Sequence, residues 1–284
     1  MAGSVPSTRP VRGIRRSRGG GGFTTIPGMD TPRLDITRRW ADTNRLIVND
    51  IVWLARAVPA FPVERSFDLA AVDRLRRECG RRIGWASVFV KAYAIVAREM
   101  PVLRSWYVPG IFPRIATSSE SVASVSISRE ADGRDALFWA RFRSPDRMPL
   151  EKLQAAIARH QTEPLEDLFK RQFELGLLPT WMRRLILRWN RDSGGTKRPT
   201  RLGTFSLSTL AGLGVLNRMH PSPLTTSLSY GPLDDAGRCL VTLLCDHRVL
   251  DGVPAAKALN RLEAVLHGEI AAELEALRCS ATAA

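Results

Sequence analysis

A chain of 284 residues with 44% hydrophobic content can bury a substantial core as one large domain or two small ones, which excludes disorder of the whole. No apolar run reaches the roughly 18–20 residues of a membrane span and the start lacks the apolar region of a secretory signal, so a cytoplasmic protein is expected. The net charge of +14 suits nucleic acid, an anionic membrane or a polyanionic small molecule without choosing among them.

Residues 1–34 read as a disordered basic tail. Residues 1–30 hold five Arg and one Asp, with a glycine run at Gly19–Gly22, and cannot bury enough apolar surface to offset the entropy of ordering. The tail could be an arm for nucleic acid or membrane, but a solvated leader is the plainer reading. From Thr37 the residues Trp40, Leu46, Ile47, Ile51, Trp53 and Leu54 suggest a helix or strand packed on a core. Val63–Phe67 predicts a strand, Asp68 an N-cap, Leu69–Cys79 a helix stopped by Gly80, and Trp85–Met100 a buried helix ended by Pro101. Ser121–Ser128 alternates small polar and apolar residues, and Ala136–Phe142 follows an Asp132-Gly133 turn, as in a hairpin.

Pro149–Gln161 and Pro164–Leu177 return to helical spacing. Pro179–Asn190 carries Trp181, Met182, Leu185, Ile186 and Trp189 on one side, with Arg183, Arg184, Arg188 and Arg191 elsewhere. Such a helix can lie on an anionic membrane or fold over a phosphate-bearing ligand, but a stripe of this kind more often packs into a core with its arginines solvated. After a loop at Asp192–Pro199, strands are expected at Gly203–Leu210, Thr225–Tyr230 and Cys239–Cys245, with a turn at Asp234–Gly237 and one long closing helix at Pro254–Leu277. The irregular mixture favours an α+β sandwich over a doubly wound sheet. Cys79, Cys239, Cys245 and Cys279 lack Cys-x-x-Cys spacing and read as structural, and no histidine pair has ligand spacing, so no metal is expected.

Chemistry concentrates at Asp246-His-Arg-Val-Leu-Asp-Gly252. The run sets the imidazole of His247 four residues before Asp251, just after an apolar strand, as a catalytic base at a strand end would be set. This run resembles the His-x-x-x-Asp-Gly signature of the 2-oxoacid dehydrogenase dihydrolipoamide acyltransferases, whose catalytic domain shares a fold with chloramphenicol acetyltransferase. A second block, Gly203-Thr-Phe-Ser-Leu-Ser-Thr-Leu-Ala-Gly-Leu-Gly214, is similar to the family's Gly-x-Phe-Thr-Ile-Ser segment. The resemblance extends over about residues 35–270 of an expected domain at 35–278, followed by a disordered tail at 279–284.

The resemblance implies acyl transfer between coenzyme A and a thiol or hydroxyl acceptor, with acyl-coenzyme A as substrate. It also implies a two-layer sandwich of a mixed β-sheet with helices, assembled as a homotrimer with active sites at subunit boundaries. His247 falls on the general base and Ser208 on the hydroxyl that stabilises the oxyanion. For Asp251 it implies a structural salt bridge to Arg38, with Arg39 as the alternative; Gly252 is read as allowing the close turn into the last helix. The chemistry is consistent: a thiol of ordinary pKa about 8.5 is mostly protonated at neutral pH, so its attack on a thioester needs a base. His160, His220 and His267 receive no role.

The chain departs from the family in two places. Barely 35 residues precede the match and none offers a lipoyl-lysine hairpin, so a lipoyl group would have to come from another chain. The stretch at about 164–200, with its basic helix, is longer than in the complex-forming enzymes. These features resemble a stand-alone subgroup and leave two functions in competition. One is a coenzyme-A-dependent acyltransferase; the other is a catalytically silent binding or assembly module, held on a membrane surface by the basic helix. A nucleic-acid binder is set aside because aromatic and basic residues do not interleave along the strands; the basic surface suits the phosphates of coenzyme A instead.

Overall fold

A computed structural model of the chain describes residues 36–37 and 40–282, and a compact unit begins at Ala41. The basic tail at 1–34, with Arg38 and Arg39, lies outside the described residues. The run after Thr37 resolves into a helix, α1 (Thr43–Ala55), because Asp42 caps it: its carboxylate accepts from the Arg45 N–H at 2.7 Å. β1 (Ala60–Asp68), α2 (Ala70–Glu78) and α3 (Trp85–Glu99) follow as expected. Leu69, not Asp68, occupies the cap of α2, although Asp68 still accepts from the Ala70 N–H at 3.2 Å.

A short hairpin of β2 (Ser105–Val108) and β3 (Arg114–Thr117) escapes sequence reading, having too few residues to show alternation. β4 (Val122–Ala131) and β5 (Arg134–Arg143) pair antiparallel about Asp132 and Gly133, both with positive φ. The helical stretch beyond them comprises α4 (Leu150–Thr162), α5 (Leu165–Leu168), α6 (Lys170–Gly176), α7 (Thr180–Asp192) and α8 (Arg198–Leu202). The helix expected over Pro164–Leu177 breaks at Phe169, which turns into the core.

β6 (Phe205–Leu207) is shorter than the strand expected over Gly203–Leu210. Gly203 has φ 100°, and a Cβ there would stand 2.9 Å from that of Ser124, so the strand enters only after a glycine bend. β7 (Thr226–Tyr230) and β8 (Arg238–Asp246) sit where the pattern placed them. The closing helix is two helices, α9 (Gly252–Val265) and α10 (Ala271–Thr282), joined by a π-helical turn at Leu266–Ile270. α10 runs through residues 279–282, which were expected to be tail.

The larger sheet has the order β1-β8-β7-β6-β4-β5, in which β4, β6 and β7 are mutually parallel and the other neighbours antiparallel. Alternation divides its faces. Val125, Phe205, Leu228 and Leu243 point into the core against α3 and α9, where Phe89 stacks on Tyr230 at 4.3 Å and Tyr93 meets Phe205 at 4.7 Å. Ser124, Ser206 and Ser227 share rungs on the other face, which α1, α6 and α7 cover in part. The expected two-layer α+β arrangement is what forms, with these helices added on the second face.

Candidate active site

β8 ends at Asp246, and the chain turns at once. The buried Asp246 carboxylate accepts from Arg248, Nε to Oδ1 at 2.9 Å, Nη2 to Oδ2 at 2.7 Å and the backbone N–H to Oδ1 at 3.1 Å. This ion pair raises the pKa of Arg248 and braces the turn. The Arg248 guanidinium also lies 4.8 Å from the centre of the Tyr107 ring. His247, between them, is thrust outward. Its N–H donates to Pro59 O at 3.0 Å, its ring sits 4.6 Å from that of Phe61, and Nδ1 is 3.1 Å from Asp251 Oδ1. With its side chain 60% exposed, His247 offers Nε2 to whatever approaches. Asp246 and Arg248 belong to the run singled out in the sequence, but nothing in the sequence shows this bracing role.

Ser208 follows β6, half-buried, its N–H donating to Leu228 O at 3.0 Å. Its neighbours hold the bend beyond it: Thr209 Oγ1 donates to Tyr230 O at 2.7 Å and accepts from the Ala211 N–H at 3.1 Å. Strand register then decides how Ser208 stands to His247. Leu207 is level with Leu228 and Leu243, while Thr226 is level with Cys245, so the chain passes Ser208 at one end of the sheet and His247 at the other. Continued at the same register, Ser208 falls level with Ser229 and His247 with Leu224. That offset is about 16 Å along the strands and about 10 Å across two of them. Within one copy of the chain the two side chains do not meet.

Three solved structures share this architecture. The chain is 18% identical to Azotobacter vinelandii dihydrolipoamide acetyltransferase, with TM-score 0.62 over 89% of this chain and 100% of that one. It is 14% identical to a truncated catalytic core of the Thermoplasma acidophilum 2-oxoacid dehydrogenase multienzyme complex, with TM-score 0.58 over 82% and 99%. It is 18% identical to a probable dihydrolipoamide acetyltransferase of Listeria monocytogenes, with TM-score 0.56 over 82% and 94%. The chain has the fold of a dihydrolipoamide acetyltransferase catalytic core. No protein-family model matches it, and no curated protein matches it.

On this acetyltransferase-core fold the remaining expected residues take definite places. Arg38, expected to pair with Asp251, lies outside the described residues, and the partner seen for Asp251 is His247. Gly252 opens α9 without positive φ, and a Cβ there would meet nothing within 4 Å, so the turn does not require glycine as expected. Burial pushes the thiols of Cys239 and Cys245 up to about 11 and about 12, in keeping with structural cysteines. No cluster able to hold a metal occurs among the described residues.

α7 inverts its expected orientation. Trp181, Leu185 and Trp189 face solvent, whereas Arg183 is buried with Nε 2.6 Å from Asp50 Oδ2; Arg184 takes the other oxygen at 2.8 Å. His220, assigned no role from sequence, is also a surprise: it is half-buried, with Nε2 2.5 Å from Ser227 Oγ, which is 2.5 Å from Ser206 Oγ. The recurring serines of β4, β6 and β7 were the signal for a polar face, but only the register shows that they share rungs.

Proposed function

We propose that the chain is an acyltransferase that moves an acyl group from coenzyme A to a thiol or hydroxyl acceptor across the boundary between two copies, within a homotrimer. The observation that carries this reading is the His247–Asp251 pair. A carboxylate accepting from Nδ1–H leaves the lone pair on Nε2, the nitrogen turned outward, as a general base requires. Nε2 of His247 takes the acceptor's proton as its sulfur or oxygen attacks the thioester carbonyl. Charge developing on the carbonyl oxygen meets the hydroxyl of Ser208 from the neighbouring copy. Collapse breaks the carbon–sulfur bond, and the imidazolium returns the proton to the departing coenzyme A thiolate. The Azotobacter vinelandii enzyme supports this reading, because a serine, a histidine and an asparagine were investigated for their role in its catalytic mechanism, the last two standing four apart like His247 and Asp251.

The test is thiol release from a panel of acyl-coenzyme A donors offered to thiol, amine and alcohol acceptors. His247→Ala is expected to lose 10²–10⁴-fold, or about 3–5 kcal/mol of transition-state stabilisation. Full activity in that variant overturns the assignment.

A second reading, a catalytically silent module docked on a membrane, gains one observation: the apolar stripe of α7 that core packing was expected to bury stands in solvent. No described helix is long and apolar enough to cross a membrane, so contact would be along the surface.

A further inference from the structure

Between α1, α6, α7 and the serine-bearing face of the sheet lies a cavity of about 580 Å³. That is within the ~300–1,000 Å³ of small-molecule sites. Part of its wall comes from α6 and α7. Ile47, Ile51 and Leu187 supply apolar lining, and Ser206 and Ser222 supply hydroxyls.

Two arginines set its character. Arg141 on β5 and Arg171 on α6 both line the cavity, and neither side chain makes a hydrogen bond or ion pair with any described residue. Other arginines nearby are all engaged: Arg183 with Asp50, Arg191 with Leu54 O, and Arg201 with Asn190. Glu174, the one carboxylate among the lining residues, forms no ion pair with either. Both residues are exposed in the empty protein. Surrounding protein, and then repulsion from Arg171, push the Arg141 guanidinium down to about 10. Two like charges held near one another repel in the empty protein, and an anion bound between them offsets that repulsion.

We propose that this cavity binds a single-chain amphiphile with an anionic head. Its carboxylate or phosphate pairs with Arg141 and Arg171, and its hydrocarbon chain lies along Ile47, Ile51 and Leu187. The site stands on the cavity alone and is independent of acyl transfer.

Calorimetry on the full chain tests it with dodecanoate, dodecyl phosphate and dodecanol, each kept below its aggregation threshold. Saturable binding of at least one of the anions is expected, one per chain and about tenfold tighter than the alcohol. Whichever anion binds identifies the head group as carboxylate, phosphate or either. Arg141→Gln with Arg171→Gln should weaken the anion about tenfold while leaving the alcohol unchanged within about twofold. The thermal midpoint of the free double variant should be no lower than that of the parent, which separates loss of the site from loss of the fold. Arg171→Gln alone, at an exposed position on α6, should weaken the anion about threefold and serves as the test if the double variant folds poorly. Equal binding of acid and alcohol, no saturable binding, or unchanged anion affinity in the variants overturns the proposal.

Discussion

At the scale of single residues, the proposed acyl transfer would give Asp251 the part of orienting His247 through Nδ1. Asp251 is 78% exposed, so water competes for it and its hold on the ring is weaker than in a buried triad. Asp251→Asn is therefore expected to lower kcat by about tenfold, short of the 10²–10⁴ expected for removing the base itself. A kcat and KM comparison checks this: a loss confined to KM would show that Asp251 serves substrate binding. The motif made His247 and Asp251 legible in the sequence. Their contact was not, because it depends on the turn that Asp246 and Arg248 brace. His220 was missed for a related reason, since a lone histidine in a Pro-rich turn has no pattern and acquires meaning only when β7 places Ser227 against it. Burial lowers the His220 pKa from 6.5 to about 4. The unfolded chain thus binds a proton that the folded protein refuses, and the stability from neutral His220 is complete above pH 6.5 and drains away as pH falls toward 4. Urea midpoints at pH 7 and pH 4.5 should differ more for the parent than for His220→Gln, by on the order of 2–3 kcal/mol. Equal differences would show that His220 carries none of the acid sensitivity.

At the scale of elements, most helices and strands follow from periodicity, and the errors share a physical cause. Helical spacing identified α7 as amphipathic, but its apolar stripe and its arginines both offer a face that could turn inward. The choice is made by Asp50, far away in sequence on α1, whose buried carboxylate holds Arg183 and Arg184 and so turns Trp181, Leu185 and Trp189 outward. Removing one partner of such a buried pair typically costs about 3–5 kcal/mol, so charge reversal at Arg183 would unfold the region rather than probe its surface. Flotation with anionic vesicles, comparing the parent with the Trp181→Ser, Trp189→Ser variant, is the usable measurement. Surface docking expects the parent to float and the variant to stay behind at low salt, with its folding midpoint little changed. If neither floats, the membrane reading is lost.

At the scale of the whole molecule, the order β8-β7-β6 carries the functional argument. A sequence shows that two motifs exist, but it does not show that β7 lies between their strands or that β8 runs against β6. Those facts set Ser208 and His247 at opposite ends of one sheet. A shared site then needs two copies related head to tail, so that the His247 end of one faces the Ser208 end of the next. The surface beside Ser208 suits such a contact, since Leu210, Leu213 and Val215 all face solvent in a single copy. His247→Ala and Ser208→Ala proteins, each nearly inactive alone, should therefore recover activity when unfolded together and refolded in equal amounts. Random assortment leaves about one quarter of the boundaries with both residues intact, and that fraction of parental activity is expected. Activity no greater than the sum of the separate variants would place the two residues in different sites and remove Ser208 from the reaction.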